Sequence, residues 1–98
     1  MKNTIDRIMK MEKILDELTL VVEKSDKAMN DLEDSLIDLN TLKTYYESQY
    51  IKDVMADKNK EIPQDLKRGV LSEDAVHMLL TDLVELSDKM AKLSKKIR

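Results

Sequence analysis

The chain has 98 residues with no Cys, Phe or Trp, one Gly and one Pro; 38% of its residues are charged, and its net charge is −3. This composition is typical of a helical bundle or coiled coil and excludes a disulfide framework and a thiolate metal site. Acidic and basic residues are interleaved, which argues against general nucleic-acid affinity. The sequence has no signal-peptide run and no stretch near the roughly 20 apolar residues that span a bilayer, so we expect a soluble, cytoplasmic protein.

The first half of the chain carries an apolar series at alternating spacings of three and four residues, which we call the seam. Only Ser25 interrupts it, and no Pro or Gly occurs before Pro63. This spacing predicts one long helix, about residues 3–48, with a break near Ser25 as the alternative. The apolar members of the seam are Ile8, Met11, Leu15, Leu18, Val22, Met29, Leu32, Leu36 and Leu39.

A second apolar row, the apolar flank, lies beside the seam on one side. It consists of Ile14, Val21, Ala28 and Leu42. Seam and flank together turn about three residues in seven inward, which is typical of a helix that contacts two or more neighbours.

After the long helix, the sequence predicts a short helix, about residues 49–57, and then a polar loop with a motif over 58–71. Ser72 is a good N-cap, and Glu73 and Asp74 follow where negative charge is favourable, so the final helix is expected over about 72–97. That helix has its own apolar stripe: Val76, Leu79, Leu83, Leu86, Met90, Leu93 and Ile97.

These elements predict an all-α fold in a single helical domain, residues 1–98. We expect the long helix to pack antiparallel on the shorter final helix, as a coiled-coil-like hairpin or bundle with a short connecting helix. The final helix is about half as long as the first, so part of the seam lacks an intramolecular partner. A homodimer through the seam would cover that part, whereas a break near Ser25 would close a three-helix bundle instead.

The sequence offers few parts for catalysis. There is no Cys, no Ser in a nucleophile elbow and no glycine-rich phosphate loop, so we predict neither an enzyme nor a bound cofactor. Asp74 and His77, three residues apart on one helix face, are the only candidates for metal ligands. A surface position is the simpler interpretation of His77, because di-iron bundles need further carboxylates.

The segment from Tyr45 onward is more specific than helical periodicity requires. Tyr45-Tyr46-x-Ser48, followed by Pro63-x-Asp65-Leu66-Lys67-Arg68-Gly69-Val70-Leu71-Ser72-Glu73-Asp74-Ala75, resembles the small bacterial domain-of-unknown-function family 4298. The resemblance covers most of the chain, and 66–75 carries nearly all of its specificity. It implies a small helical fold and a bacterial cytoplasmic setting, and it implies no activity.

The motif has a structural interpretation. Gly69 would supply a positive φ, Ser72 would start the final helix, and the motif would lock against Tyr45 and Tyr46. The tyrosine hydroxyls would then find partners among Asp65, Asp74 and Arg68. Lys67 and Arg68 would cap the preceding turn or pair with Asp65, Glu73 or Asp74.

The leading hypothesis for function is a non-enzymatic interaction or scaffold protein that presents helical surface to another protein and associates with itself. One alternative is a small regulator that binds nucleic acid or another anionic ligand through Lys67, Arg68 and the basic C-terminus. A second alternative is a metal-binding helical protein that uses Asp74 and His77.

Overall fold

A computed structural model describes all residues from Met1 to Arg98 and confirms the all-α fold, with no strand. The helices are α1 (Lys2–Asp34), α2 (Leu36–Ser48), α3 (Tyr50–Lys58) and α4 (Glu73–Ile97), and a 3-10 helix (Gly69–Leu71) precedes α4. The chain divides into two compact units, Met1–Thr44 and Tyr45–Arg98. None of the helices combines the length and the apolar character needed to cross a membrane.

The predicted helix of about residues 3–48 starts at Lys2 and is interrupted at Ser35, not near Ser25. The backbone N–H of Ser35 lies 3.1 Å from the carbonyl oxygens of both Asp31 and Leu32, so the turn tightens there. The Ser35 hydroxyl also donates to the Asp31 carbonyl at 2.8 Å. Such bonds from a serine to the preceding turn compete with regular helix geometry. Ser25 makes the same bond to Val21 at 2.8 Å, yet α1 continues through it.

The junction between α2 and α3 at Gln49 keeps its backbone hydrogen bonds. The Gln49 N–H donates to the Tyr45 carbonyl at 2.9 Å, and the Asp53 N–H donates to the Gln49 carbonyl at 3.2 Å. The side chains on either side of Gln49 therefore keep a nearly helical spacing, which brings the tyrosines of the two helices together.

The end of α3 adopts a Schellman motif without a glycine. The Glu61 N–H donates to the Ala56 carbonyl, and the Lys60 N–H donates to the Asp57 carbonyl, each at 3.0 Å. This pattern requires a left-handed residue after the cap, and Lys60 supplies it with φ of 58°. The expected positive φ at Gly69 is wrong, because Gly69 begins a 3-10 turn, whose residues have negative φ.

The core of the second unit lies around the 3-10 helix, which contacts both α3 and α4. Val76, in the first turns of α4, is its one buried residue. Ser72 caps α4, because its hydroxyl oxygen accepts from the Ala75 N–H at 3.3 Å. Leu71 and Leu80 are half-buried. The cap and this small apolar group together fix where α4 begins.

Glycine is expected to be favourable at position 60, where lysine stands, and unfavourable at position 69, where glycine stands. Lys60→Gly should stabilise the protein by about 0.5–1 kcal/mol, because glycine adopts positive φ without the steric cost of a side chain. Gly69→Ala should also stabilise it, by about 0.4–1 kcal/mol, because a Cβ there meets no atom within 4 Å and alanine restricts the unfolded chain. Urea unfolding measures both changes. Destabilisation by Gly69→Ala would contradict the 3-10 geometry.

Candidate functional site

The largest exposed apolar surface on α1 is the seam with its flank. No residue of α1 or α2 is buried. The nine larger apolar side chains of this surface that are exposed range from 40% for Ile14 to 65% for Val22, and the other seven are Ile8, Met11, Leu15, Leu18, Val21, Met29 and Leu36. Leu32 and Leu39 are half-buried. Exposed apolar surfaces of this kind are candidates for contact with a partner protein or a membrane.

A second candidate site is the tyrosine cluster of the second unit. Tyr46, on α2, stacks on Tyr50, on α3, with ring centroids 4.6 Å apart and planes inclined by 30°. The Tyr50 hydroxyl donates to the Leu71 carbonyl at 3.1 Å, which ties α3 to the 3-10 helix. Burial, with the nearby charge of Glu73, raises the pKa of Tyr46. The cluster therefore joins α2, α3 and the 3-10 helix.

Tyr45 lies in the same region and bonds to Asp53. Its hydroxyl donates to Asp53 Oδ2 at 2.7 Å. This hydrogen bond, helped by burial and by the carboxylate charge, raises the pKa of Tyr45 from 10.0 to about 12. The expected partners of the tyrosine hydroxyls, Asp65, Asp74 and Arg68, are not the ones that Tyr45 and Tyr50 use.

Arg68 fastens the loop to the end of α3. Its Nη1 donates to Asp57 Oδ1 in an ion pair, its Nη2 donates to the Pro63 carbonyl, and its Nε donates to the Leu66 carbonyl at 3.3 Å. We call these contacts the Arg68 clasp. Of the two alternatives expected for Arg68, capping of the preceding turn is confirmed by its bonds to the Pro63 and Leu66 carbonyls. Its ion pair is with Asp57, eleven residues earlier, and not with Asp65, Glu73 or Asp74. The three bonds come from three different nitrogens of the rigid planar guanidinium, a donor geometry that the single ammonium nitrogen of lysine does not offer.

The remaining predicted residues lie outside these contacts. Lys67, Asp74 and His77 are exposed. No group of three or more His, Asp or Glu side chains is placed to hold a metal ion. Gly69 and Ser72 act through the backbone, as the start of the 3-10 helix and the cap of α4. The motif thus brings Tyr45, Arg68 and Ser72 into structural roles.

Sequence reasoning missed Asp53 and Asp57, the acidic partners of Tyr45 and Arg68. Asp57 carries a recognisable signal, because a carboxylate in the last turn of a helix opposes the negative end of the macrodipole and favours a nearby cation. Asp53 carries no comparable signal. Its spacing of eight residues from Tyr45 lies outside the i,i+3 and i,i+4 pairs that helix geometry brings together, so the helical pattern does not predict the bond.

Removing the Arg68 clasp should destabilise the protein. We expect Arg68→Ala to lower the free energy of unfolding by about 1–3 kcal/mol, because it removes the cation beside a partly buried carboxylate and one donor from each of two carbonyls. Lys67→Ala, at an exposed neighbour, should change it by less than about 0.5 kcal/mol. Urea unfolding at one fixed protein concentration compares the two. A change in the free energy of unfolding by Arg68→Ala of less than about 0.5 kcal/mol, as expected for Lys67→Ala, would show that the clasp adds no stability.

The Tyr45–Asp53 bond predicts a specific dependence on pH. Because folding raises the pKa of Tyr45 to about 12, the bond stabilises the protein fully below pH 10 and loses that contribution as the pH rises through 12. The free energy of unfolding should therefore fall more steeply over this range in the native chain than in Tyr45→Phe. Phenolate absorbance of the folded protein should show one group titrating near 12 that Tyr45→Phe removes. Ionisation of that group at its ordinary value of 10.0 would contradict the bond.

Comparison with known proteins gives one match. The model of the family described as a domain of unknown function, DUF4298, matches residues 8–93. No curated protein and no solved structure match the chain.

Proposed function

We propose that this chain, which belongs to the DUF4298 family, is a non-enzymatic helical interaction protein that associates with itself through the seam of α1. The observation that carries the proposal is the exposure of the seam, where no residue of a 33-residue helix is buried. The bacterial and cytoplasmic setting implied by the sequence resemblance is part of the same proposal.

The exposed side chains of the seam and its flank are the source of free energy for association. Burying a Leu, Ile, Val or Met side chain completely is worth about 1.5–3 kcal/mol, so covering one that is half exposed yields about 1 kcal/mol. Nine such side chains lie on each chain. Two chains that covered all of them would gain on the order of 15–20 kcal/mol. The lost freedom of the partners, about 4–15 kcal/mol, and the ordering of interface side chains, about 0.5–1.5 kcal/mol each, are subtracted from this gain.

The contacts of the second unit support a structural role for the motif. Arg68, the central residue of the anion-binding alternative, already has an ion pair and two carbonyl acceptors. Binding of an anion by Arg68 would have to replace these bonds, which leaves Lys67 and the basic C-terminus as the free cations for that alternative. Asp74 and His77 have no third ligand beside them for the metal-binding alternative. Neither alternative has a specific observation in its favour.

Two leucines on opposite sides of α1 give a matched test. Leu18 belongs to the seam and is 58% exposed, whereas Leu20 lies off the stripe and is 55% exposed. Leu18→Glu should weaken self-association by at least about tenfold, because it places a charge in the apolar contact. Leu20→Glu should leave the association unchanged. Sedimentation equilibrium measures the dimer dissociation constant of each variant.

The same experiment has clear contradictory outcomes. A native chain that remains at 11.4 kDa at the highest concentration studied would exclude self-association. Equal weakening by the two glutamates would show that the seam is not the contact surface. Circular dichroism of both variants checks that each keeps its helix content, so that loss of fold is not mistaken for loss of binding.

A further inference from the structure

We infer that the C-terminal part of α4 binds the surface of an anionic lipid membrane and lies in that surface without crossing it. The inference goes beyond the proposed self-association and does not depend on it, because it concerns α4 and uses no residue of the seam. It follows from how charge and apolar side chains are distributed along this one helix.

The charge along α4 changes sign between Asp88 and Lys89. Residues 73–88 carry five acidic side chains and no Lys or Arg, whereas residues 89–98, which we call the basic segment, carry five basic side chains and no acidic one. Clusters of about four to eight Lys or Arg on an amphipathic helix are typical of contact with anionic lipid headgroups. The basic side chains of the segment are Lys89, Lys92, Lys95, Lys96 and Arg98.

Stabilisation of the helix itself explains only part of this cluster. Cations are favourable at the negative end of the helix dipole within the last turn, where Lys95 and Lys96 stand. Lys89 and Lys92 lie before that turn, and neither forms an ion pair with the carboxylate four residues earlier. Both cations are therefore available to an external partner.

The apolar stripe of α4 continues through the basic segment. Its members there recur at spacings of three and four residues, so they share one face of the helix. α4 contacts the 3-10 helix and no other helix of the second unit. Leu86, Leu93 and Ile97 are 43%, 53% and 77% exposed, and Met90 is half-buried. Helical spacing places Lys89 and Lys96 along one border of this face.

A lipid surface makes use of the whole segment. A helix with an apolar face and a Lys-rich polar face lies in the membrane interface, with its apolar side chains among the headgroups and its cations near the lipid charges. The field of an anionic membrane extends over a Debye length of about 8–10 Å, so it acts on all five cations.

Other anionic partners use less of the segment. Nucleic-acid phosphates offer no apolar contact, and single strands bind by stacking on aromatic side chains, which this chain has only at positions 45, 46 and 50. An acidic partner helix would pair chiefly with Lys89 and Lys96 on the border of the stripe, and would leave Lys92 and Lys95 without a partner.

Charge also confines the membrane contact to the basic segment. α1 carries six basic and nine acidic side chains, so an anionic surface repels this helix as a whole. The five acidic side chains of residues 73–88 keep the first part of α4 away from such a surface in the same way.

Vesicle binding by the full chain tests the inference. We expect binding to vesicles of equal parts phosphatidylcholine and phosphatidylglycerol, weaker binding as salt is added, and none to phosphatidylcholine alone. Lys92→Gln/Lys96→Gln should lower the partition coefficient about 25-fold, because each cation near an anionic surface contributes about fivefold. Lys24→Gln/Lys27→Gln removes the same charge from α1 and should change the coefficient by less than about twofold.

A matched pair of apolar substitutions tests whether the stripe enters the membrane. Leu93 belongs to the stripe and is 53% exposed, whereas Val84 lies off the stripe and is 61% exposed. Leu93→Gln should lower the partition coefficient about fivefold, because covering a half-exposed leucine contributes about that factor. Val84→Gln should leave it unchanged. Circular dichroism without vesicles checks that each variant keeps its helix content.

The results that overturn the inference differ from those that overturn self-association. No binding to the anionic vesicles at low salt, or equal binding to the neutral ones, overturns the lipid surface as the partner. Tighter binding to single-stranded RNA than to the anionic vesicles at the same salt overturns it in favour of nucleic acid. Vesicle binding that falls with Leu18→Glu and not with Leu93→Gln overturns the assignment to α4. None of these results alters the dimer dissociation constant that sedimentation measures without lipid.

Discussion

In the proposed assembly, burial of the seam against a second copy is the constraint on which the first unit depends. Hydrogen bonds within a helix contribute little net stability in water, and most helices in proteins are held by the packing of an apolar face. α1 has 33 residues and buries none of them. Under the proposed function, its apolar side chains supply the free energy of an assembly and not that of an isolated chain.

The second unit is held by different means. Its one buried residue, Val76, is too small a core to fix the long path from α3 to α4. Polar contacts supply the specificity, since the Arg68 clasp closes the loop onto α3 and the Tyr50 hydroxyl holds the 3-10 helix. The residues of the motif thus bond mainly to backbone groups of this unit. This division of roles leaves the seam as the surface available for a partner.

The sequence predicted the helical class and the position of Ser72, because periodicity and capping are local signals. It did not predict the interruption at Ser35, since Ser25 makes the same hydrogen bond to the preceding turn and nothing local distinguishes the two. It assigned positive φ to Gly69, whereas Lys60 adopts it at the end of α3. The partner of Arg68 depends on how the loop closes, which no pattern within a few residues records.

In the proposed assembly, α1 gains its stability by association through the seam. Thermal unfolding of the native chain, followed by circular dichroism at a series of protein concentrations, tests it most directly. Because binding between copies stabilises the folded state by mass action, the midpoint temperature should rise steadily with protein concentration. A midpoint that stays constant over a range of about a hundredfold in protein concentration would contradict association through the seam.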